Sequence, residues 1–142
     1  MSISQRDFER VRDRCIEFSR YAQTGSYKET AERLGLTFDN PPDRRKFNHI
    51  LFLINVNEIY FDRPFLTACI VHKNGDHEPG EGFDKMSMTL QNKKAHPADV
   101  RRLCTLYWRQ ETNLQAYRDS VLSVEELETR AASMKPKLEP VD

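Results

Sequence analysis

Three cations follow a proline pair in the first third of the chain, and they are the residues best placed to bind an anion. Arg44, Arg45 and Lys46 stand at the predicted start of a helix, where cations oppose the helix dipole unless an anion or nearby acids offset it. Two interpretations follow. Either the three cations meet a phosphate group, or they pair with Asp39 and Asp43.

A second group of chemistry-bearing residues gathers between positions 58 and 84. Phosphodiester cleavage uses carboxylates and histidines to hold a hard cation and a water, so a metal-dependent nuclease is one hypothesis. The candidate residues are Glu58, Asp62, His72, His77, Glu78, Glu81 and Asp84. No acid, spacer and lysine follow one another on the predicted strand, as a restriction-type nuclease would require. We therefore interpret this group as a solvated, charged loop and predict no metal or cofactor.

Composition limits the classes of partner. Acidic and basic residues balance at 22 each, so no net positive field draws the chain onto polyanions, and nucleic-acid binding must depend on a local patch. No apolar run is long enough for a membrane span. Cys15, Cys69 and Cys104 are widely spaced in apolar surroundings, which predicts buried, reduced thiols and a cytoplasmic location without a membrane partner.

The apolar spacing predicts three helices before residue 60. The first runs over residues 5–23 with Ser4 as its N-cap, the second begins with the Ser26 and Glu29 capping box and stops at Gly35, and the third spans 43–57 with Asp43 as its cap. Apolar residues in "FLTACIVHK" and the alternation around Met86 predict a β-hairpin with a long tip over residues 65–90.

The remaining sequence predicts a long C-terminal helix and a polar tail. Pro97 is placed as the first residue of a helix whose apolar stripe continues to Val121, and Ser123 starts one further short helix. We predict a single α+β domain over residues 1–122, and a short helix with a mobile polar tail over 123–142. The fold class is mainly helical with one β-hairpin, winged-helix-like in its N-terminal part.

Two stretches of the first helices resemble a known family. "YKETAERLG" and "RKFNHIL" are similar to the paired helices of the winged-helix part of alkyltransferase and alkyltransferase-like proteins, which act on alkylated guanine. The resemblance implies that Tyr27 and Arg45 lie beside the DNA backbone and an extruded base. The family's glycine in the recognition helix is Asn48 here, and its Pro-Cys-His-Arg motif is absent, so a repair nucleophile is not implied. Residues 62–83 resemble small uncharacterised bacterial and phage proteins.

These observations predict a non-enzymatic, winged-helix-like nucleic-acid-binding protein of bacterial or phage origin. In this prediction the basic residues meet phosphate, Tyr27 steers the backbone, Asn48 and His49 lie near base edges, and residues 74–82 form the wing. The predicted nucleic-acid-binding residues are Tyr27, Arg44, Arg45, Lys46, Asn48 and His49. Two alternatives stay open: a protein–protein adaptor or inhibitor in phage–host conflict, and a metal-dependent nuclease.

Overall fold

The computed structural model describes residues 2–73, 76–93 and 95–138. Within these residues the chain is mainly helical, with a short 3-10 helix at Leu66–Cys69 and two short strands. The strands are β1 (Gly25–Ser26) and β2 (Ile70–Val71). The α-helices are α1 (Gln5–Arg20), α2 (Tyr27–Glu32), α3 (Pro41–Tyr60), α4 (Glu81–Gln91), α5 (Pro97–Trp108), α6 (Glu111–Ala116) and α7 (Val124–Leu138).

The first two helices begin as their caps predict. The Ser4 hydroxyl accepts a hydrogen bond from the Asp7 amide at 3.1 Å, and the Ser26 hydroxyl accepts one from the Glu29 amide at 2.9 Å. Helix α1 ends at Arg20 instead of the predicted residue 23, because Ala22 turns into the left-handed region at a φ of 53°. Gly35 supplies the left-handed turn predicted after α2, with a φ of 77°.

Helix α3 begins two residues earlier than predicted. Asn40, not Asp43, is its N-cap, and the Asn40 side chain accepts from the Asp43 amide at 3.2 Å. The prediction that the proline pair lies outside the helix is wrong, because Pro41 and Pro42 occupy first-turn positions whose amides would have no intrahelical partner. The basic residues that follow therefore lie one turn inside α3.

The predicted β-hairpin is wrong. Strand β2 pairs in parallel with β1, so that Ile70 is opposite Gly25, and the predicted second strand is the helix α4. The spacing of Phe83 and Met86, which are both buried, fits one face of a helix, whereas Met88 is exposed. The alternation in "MSMTL" was compatible with either period, and packing of this helical face decided between them. Asn74 and Gly75 of the predicted wing lie outside the described residues.

The predicted long C-terminal helix is divided into two shorter helices. Helix α5 starts at Pro97 as predicted but ends at Trp108, and α6 follows after a short turn. Ser123 caps the last helix, since its hydroxyl accepts from the Glu126 amide at 3.2 Å, but α7 is longer than predicted and packs against α3 and α4. Of the predicted mobile tail, residues 139–142 lie outside the described part of the chain.

The main core forms where α1, α3 and α5 meet the 3-10 helix. Phe8, Phe47 and Leu53 have no solvent exposure. All three cysteines are free and buried, which confirms that these thiols lie in the core as predicted. In the described segments no helix is long and apolar enough to cross a membrane.

Candidate functional site

Three of the six predicted binding residues line one cavity. Tyr27 reaches it from the start of α2, and Arg44 and Asn48 reach it from the first turns of α3, where their spacing of four places them on one face. We call this cavity, of about 400 Å³, the α3 pocket. Its lining is completed by Phe38, Leu51, Phe52, Thr67, His72, Gly80, Gly82, Phe83 and Met86.

Aromatic rings form one wall of the α3 pocket. The Tyr27 ring lies 4.5 Å from the His72 ring and 5.3 Å from the Phe38 ring, centroid to centroid. Phe47 packs edge-on against the rings of Tyr27 and Phe38 from the core, at 6.5 and 6.2 Å. Flat apolar surface of this kind favours a planar ligand.

The Tyr27 hydroxyl is held at the edge of the pocket by the backbone. It accepts a hydrogen bond from the Gly80 amide at 2.8 Å. Burial raises the pKa of Tyr27, although the Gly80 amide lowers it in part. The phenol is therefore neutral at physiological pH, and its own proton remains to be donated to a ligand.

The side chain of His72 closely approaches the backbone at Gly80. A Cβ atom at Gly80 would lie 2.8 Å from Nε2 of His72 and 3.7 Å from the Tyr27 hydroxyl oxygen. The neighbouring Gly82 has open space where its Cβ would be. Of the two glycines, only Gly80 would therefore bring an added methyl group against a ring of the aromatic wall.

A buried amide positions a further hydroxyl in the pocket. Asn55, fully buried on α3, donates to the Thr67 hydroxyl at 2.6 Å and accepts from the Thr67 amide at 3.3 Å. The same Asn55 amide group also contacts the Met86 sulfur. Because the Thr67 oxygen accepts from Asn55, its hydroxyl proton is free to donate. Sequence reasoning missed this pair, for which the only signal was a polar Asn55 within an apolar stretch of helix.

The polar groups of the pocket are mostly donors. Arg44, Asn48 and the Tyr27 and Thr67 hydroxyls can all donate, and none of the described lining side chains is a carboxylate. Arg44 forms no ion pair with a described side chain. A pocket with this lining suits a ligand that has a flat apolar body and several acceptor atoms, at least one of them anionic.

The other three predicted residues lie outside the α3 pocket. Arg45 is exposed and Lys46 is half-buried on the same helix. Neither pairs with the described acids nearby; Asp43 instead accepts from the Thr37 amide at 2.9 Å. His49 faces α7, where its Nε2 lies 2.6 Å from a carboxylate oxygen of Glu128. The structure thus separates His49 from Asn48, and its predicted role near base edges remains untested.

The acids of the nuclease hypothesis are dispersed. Glu58 is fully buried and paired with Arg12 and Arg63, and Glu78 pairs with Arg101 at 2.9 Å. In residues 2–73, 76–93 and 95–138 there is no group of three or more histidine, cysteine or acidic side chains able to hold a metal ion.

No family model, curated protein or solved structure matches the chain. The resemblance to alkyltransferase-like proteins consequently stays a prediction, and the residues of the site are the basis for a functional assignment.

Proposed function

We propose that this chain is a non-enzymatic nucleic-acid-binding protein that takes one unpaired nucleotide into the α3 pocket. The observation that carries the proposal is the convergence of Tyr27, Arg44 and Asn48 on a cavity with an aromatic wall. A nucleotide offers a flat base, acceptor atoms on the base edge and an anionic phosphate. Each matches one kind of group in the lining.

The aromatic wall accounts for the base. A base packed against the rings of Tyr27 and Phe38 would gain about 1–3 kcal/mol from stacking. The Asn48 amide can both donate and accept, so it is suited to a base edge, while the Arg44 guanidinium is suited to bidentate contact with phosphate.

Single strands are the preferred partner in this proposal. A base in a duplex must be unstacked and unpaired before it can enter a pocket, at a cost of a few kcal/mol. The chain has no net charge with which to offset that cost through a long-range field. Arg45 and Lys46, which lie outside the pocket on α3, would contact the phosphates of neighbouring nucleotides.

The test is fluorescence anisotropy at low salt with short labelled single-stranded DNA, single-stranded RNA and duplex DNA. We expect single strands to bind and Arg44→Gln to weaken binding about tenfold or more, because a charge-assisted hydrogen bond contributes about 1.5–3 kcal/mol. Arg6→Gln is the matched control, since Arg6 is an exposed cation outside the pocket. Absence of binding to all three probes, or equal affinities of the two variants, would overturn the proposal.

The adaptor alternative is favoured by a different observation. Leu103 and Leu106 on α5 are 53% and 58% exposed, which is unusual for large apolar side chains in the same helix as the buried Cys104 and Trp108. If this face binds a protein, Leu103→Glu should abolish capture of that protein without affecting oligonucleotide binding. If oligonucleotides do not bind and capture depends on Leu103, the adaptor function replaces the first proposal.

A further inference from the structure

A second cavity, of about 330 Å³, lies between the C-terminal end of α1 and helix α5. We call it the α5 cavity. Three of its lining side chains are arginines, and none of the described lining side chains is a carboxylate. The polar part of the lining is Ser19, Gln23, Thr24, Arg101, Arg102, Thr105 and Arg109.

Ser19 gives the cavity a buried polar group without a partner. The side chain lies on α1 with 3% of the residue exposed, and its hydroxyl oxygen has no hydrogen-bond partner among the described residues. Buried hydroxyls in folded proteins nearly always have a partner. A ligand atom in the α5 cavity would supply the missing one.

The arginines retain donors for the same ligand, although two of them are paired with acids. Arg102 donates to the Asp99 carboxylate through one Nη2 contact, which leaves its other N–H groups available. Arg101 donates to the Ala68 carbonyl at 3.2 Å and to Glu78 at 2.9 Å. Arg109 uses only its Nε, which donates to the Arg20 carbonyl at 3.3 Å. Since a guanidinium has five N–H groups, most of the donors of Arg109 remain available.

We propose that the α5 cavity binds the phosphate group of a small organic phosphomonoester. The guanidiniums of Arg109 and Arg102 and the Ser19 hydroxyl donate to the phosphate oxygens, and the side chain of Leu106 contacts the organic part. This site is separate from the α3 pocket and does not depend on the function proposed for it.

Two features favour a phosphomonoester over the phosphodiester backbone of a nucleic acid. The Ser19 oxygen is buried, so that only a terminal group can reach it, whereas a backbone phosphate is flanked by sugars on both sides. A cavity of this size, at the lower end of the range for small-molecule sites, also leaves room for an organic portion beside the phosphate.

The test is isothermal titration calorimetry of the full chain with phenyl phosphate, in a buffer free of phosphate. Inorganic phosphate and phenol serve as the two partial ligands. We expect phenyl phosphate to bind more tightly than either, and Arg109→Gln to weaken its binding about tenfold or more through loss of charge-assisted hydrogen bonds. Ser19→Ala should weaken binding several-fold while thermal stability is unchanged or raised, because the variant removes an unpartnered hydroxyl.

Arg6→Gln is the matched control, since Arg6 is exposed and lines neither cavity, and it should bind phenyl phosphate like the unaltered chain. The proposal is wrong if phenyl phosphate does not bind, or if Arg109→Gln and Ser19→Ala leave its affinity unchanged. It is also wrong if an oligonucleotide without a terminal phosphate displaces phenyl phosphate, since the cavity would then be part of a nucleic-acid surface. The Arg109→Gln and Ser19→Ala variants test the α5 cavity alone, because neither residue lines the α3 pocket.

Discussion

Two regions of the molecule hold arginine in opposite ways. In the core, Arg12 and Arg63 flank the buried carboxylate of Glu58, and both guanidiniums also donate to the Ser120 carbonyl. In the α3 pocket, Arg44 lies beside aromatic rings without an ion pair to any described side chain. Buried cations that are paired with a buried carboxylate stabilise one arrangement of the chain, whereas a cation left without a counter-charge at a cavity is available to a ligand.

The core network is arranged around one carboxylate. Oε2 of Glu58 accepts from Nε of Arg12 at 3.3 Å, from the side-chain amide of Asn57 at 2.9 Å and from Nη2 of Arg63 at 3.2 Å. Oε1 lies 2.9 Å from Nε of Arg63, but the N–H is not directed at it, so that contact is an ion pair without a hydrogen bond. The rings of Trp108 lie against both guanidiniums, 5.9 and 5.3 Å from their central carbons.

The largest expected effect comes from breaking this network. Glu58→Gln should lower the free energy of unfolding by about 3–5 kcal/mol, because it leaves two buried cations without a counter-charge. Urea unfolding followed by the fluorescence of Trp108, the one tryptophan of the chain, measures the loss. Glu126→Gln, which removes an exposed pair with Arg130 at 3.3 Å, should cost at most about 1 kcal/mol. Equal losses would show that the core network is no more important than a surface pair.

The buried thiols make the stability of the core depend on pH. A hydrogen bond with Cys69, together with burial, raises the pKa of Cys15 well above its usual value, and burial raises that of Cys104. A raised pKa means that the folded state keeps the proton more tightly. Stability is therefore complete below the thiol pKa of the unfolded chain, about 8.5, and is lost as the pH rises above it.

We expect the free energy of unfolding to fall above about pH 8.5, by up to about 1.4 kcal/mol per pH unit for each thiol. Urea unfolding at a series of alkaline pH values measures the slope. Cys104→Ala should make the decline shallower whatever it does to stability at neutral pH, because one linked proton is removed. A slope unchanged in this variant would contradict the assignment. Tyr27 lies at the pocket with its pKa also raised, and its phenol begins to contribute only at higher pH.

Alanine substitutions at Gly80 and Gly82 test whether the aromatic wall of the α3 pocket is a binding surface. In Gly80→Ala the new methyl group would displace the exposed ring of His72. Since this ring can rotate into solvent, we expect a loss of stability of only about 1 kcal/mol, but a roughly tenfold loss of single-strand affinity as the stacking surface opens. Gly82→Ala adds a methyl group in open space within α4 and should raise stability by about 0.5–1 kcal/mol. Unchanged oligonucleotide affinity in Gly80→Ala would exclude the wall from binding.

The fold was predictable where local chemistry decides it. Caps at Ser4, Ser26 and Ser123 and the left-handed turn at Gly35 depend on hydrogen bonds or backbone angles within a few residues, and the sequence shows them directly. The end of α1 was not predictable, because Ala22 adopts a positive φ that is unfavourable for alanine. Helix α4 was not predictable either, because its apolar alternation fits both the period of a strand and that of a helix. Only the packing of Phe83 and Met86 against the rest of the domain decides between them.

The sequence indicated one cation of the candidate site, Arg44, but not the walls of the pocket. The spacing of Arg44 and Asn48 places them on one helix face, and Tyr27, which was also predicted from the sequence, lines the same cavity. Thr67 lies in the 3-10 helix, and His72 and Gly80 come from the segment that follows it. Only tertiary packing, including the parallel pairing of β1 and β2, brings these residues to Tyr27. His49 shows the converse, since a side chain adjacent to Asn48 in sequence faces Glu128 on α7.

The smallest expected effect separates Arg45 from Arg44 and Asn48. Arg45 is exposed and outside the α3 pocket, so it would contact a backbone phosphate and release about one counterion. Arg45→Gln should lower the slope of log affinity against log salt by about 0.7 for single strands and should weaken every sequence equally. Asn48→Ala should instead alter the preference among bases and leave the slope unchanged, because an amide carries no charge. Anisotropy titrations of homopolymeric oligonucleotides over a series of salt concentrations give both quantities. An unchanged slope in Arg45→Gln would place that residue outside the binding surface and confine recognition to the α3 pocket.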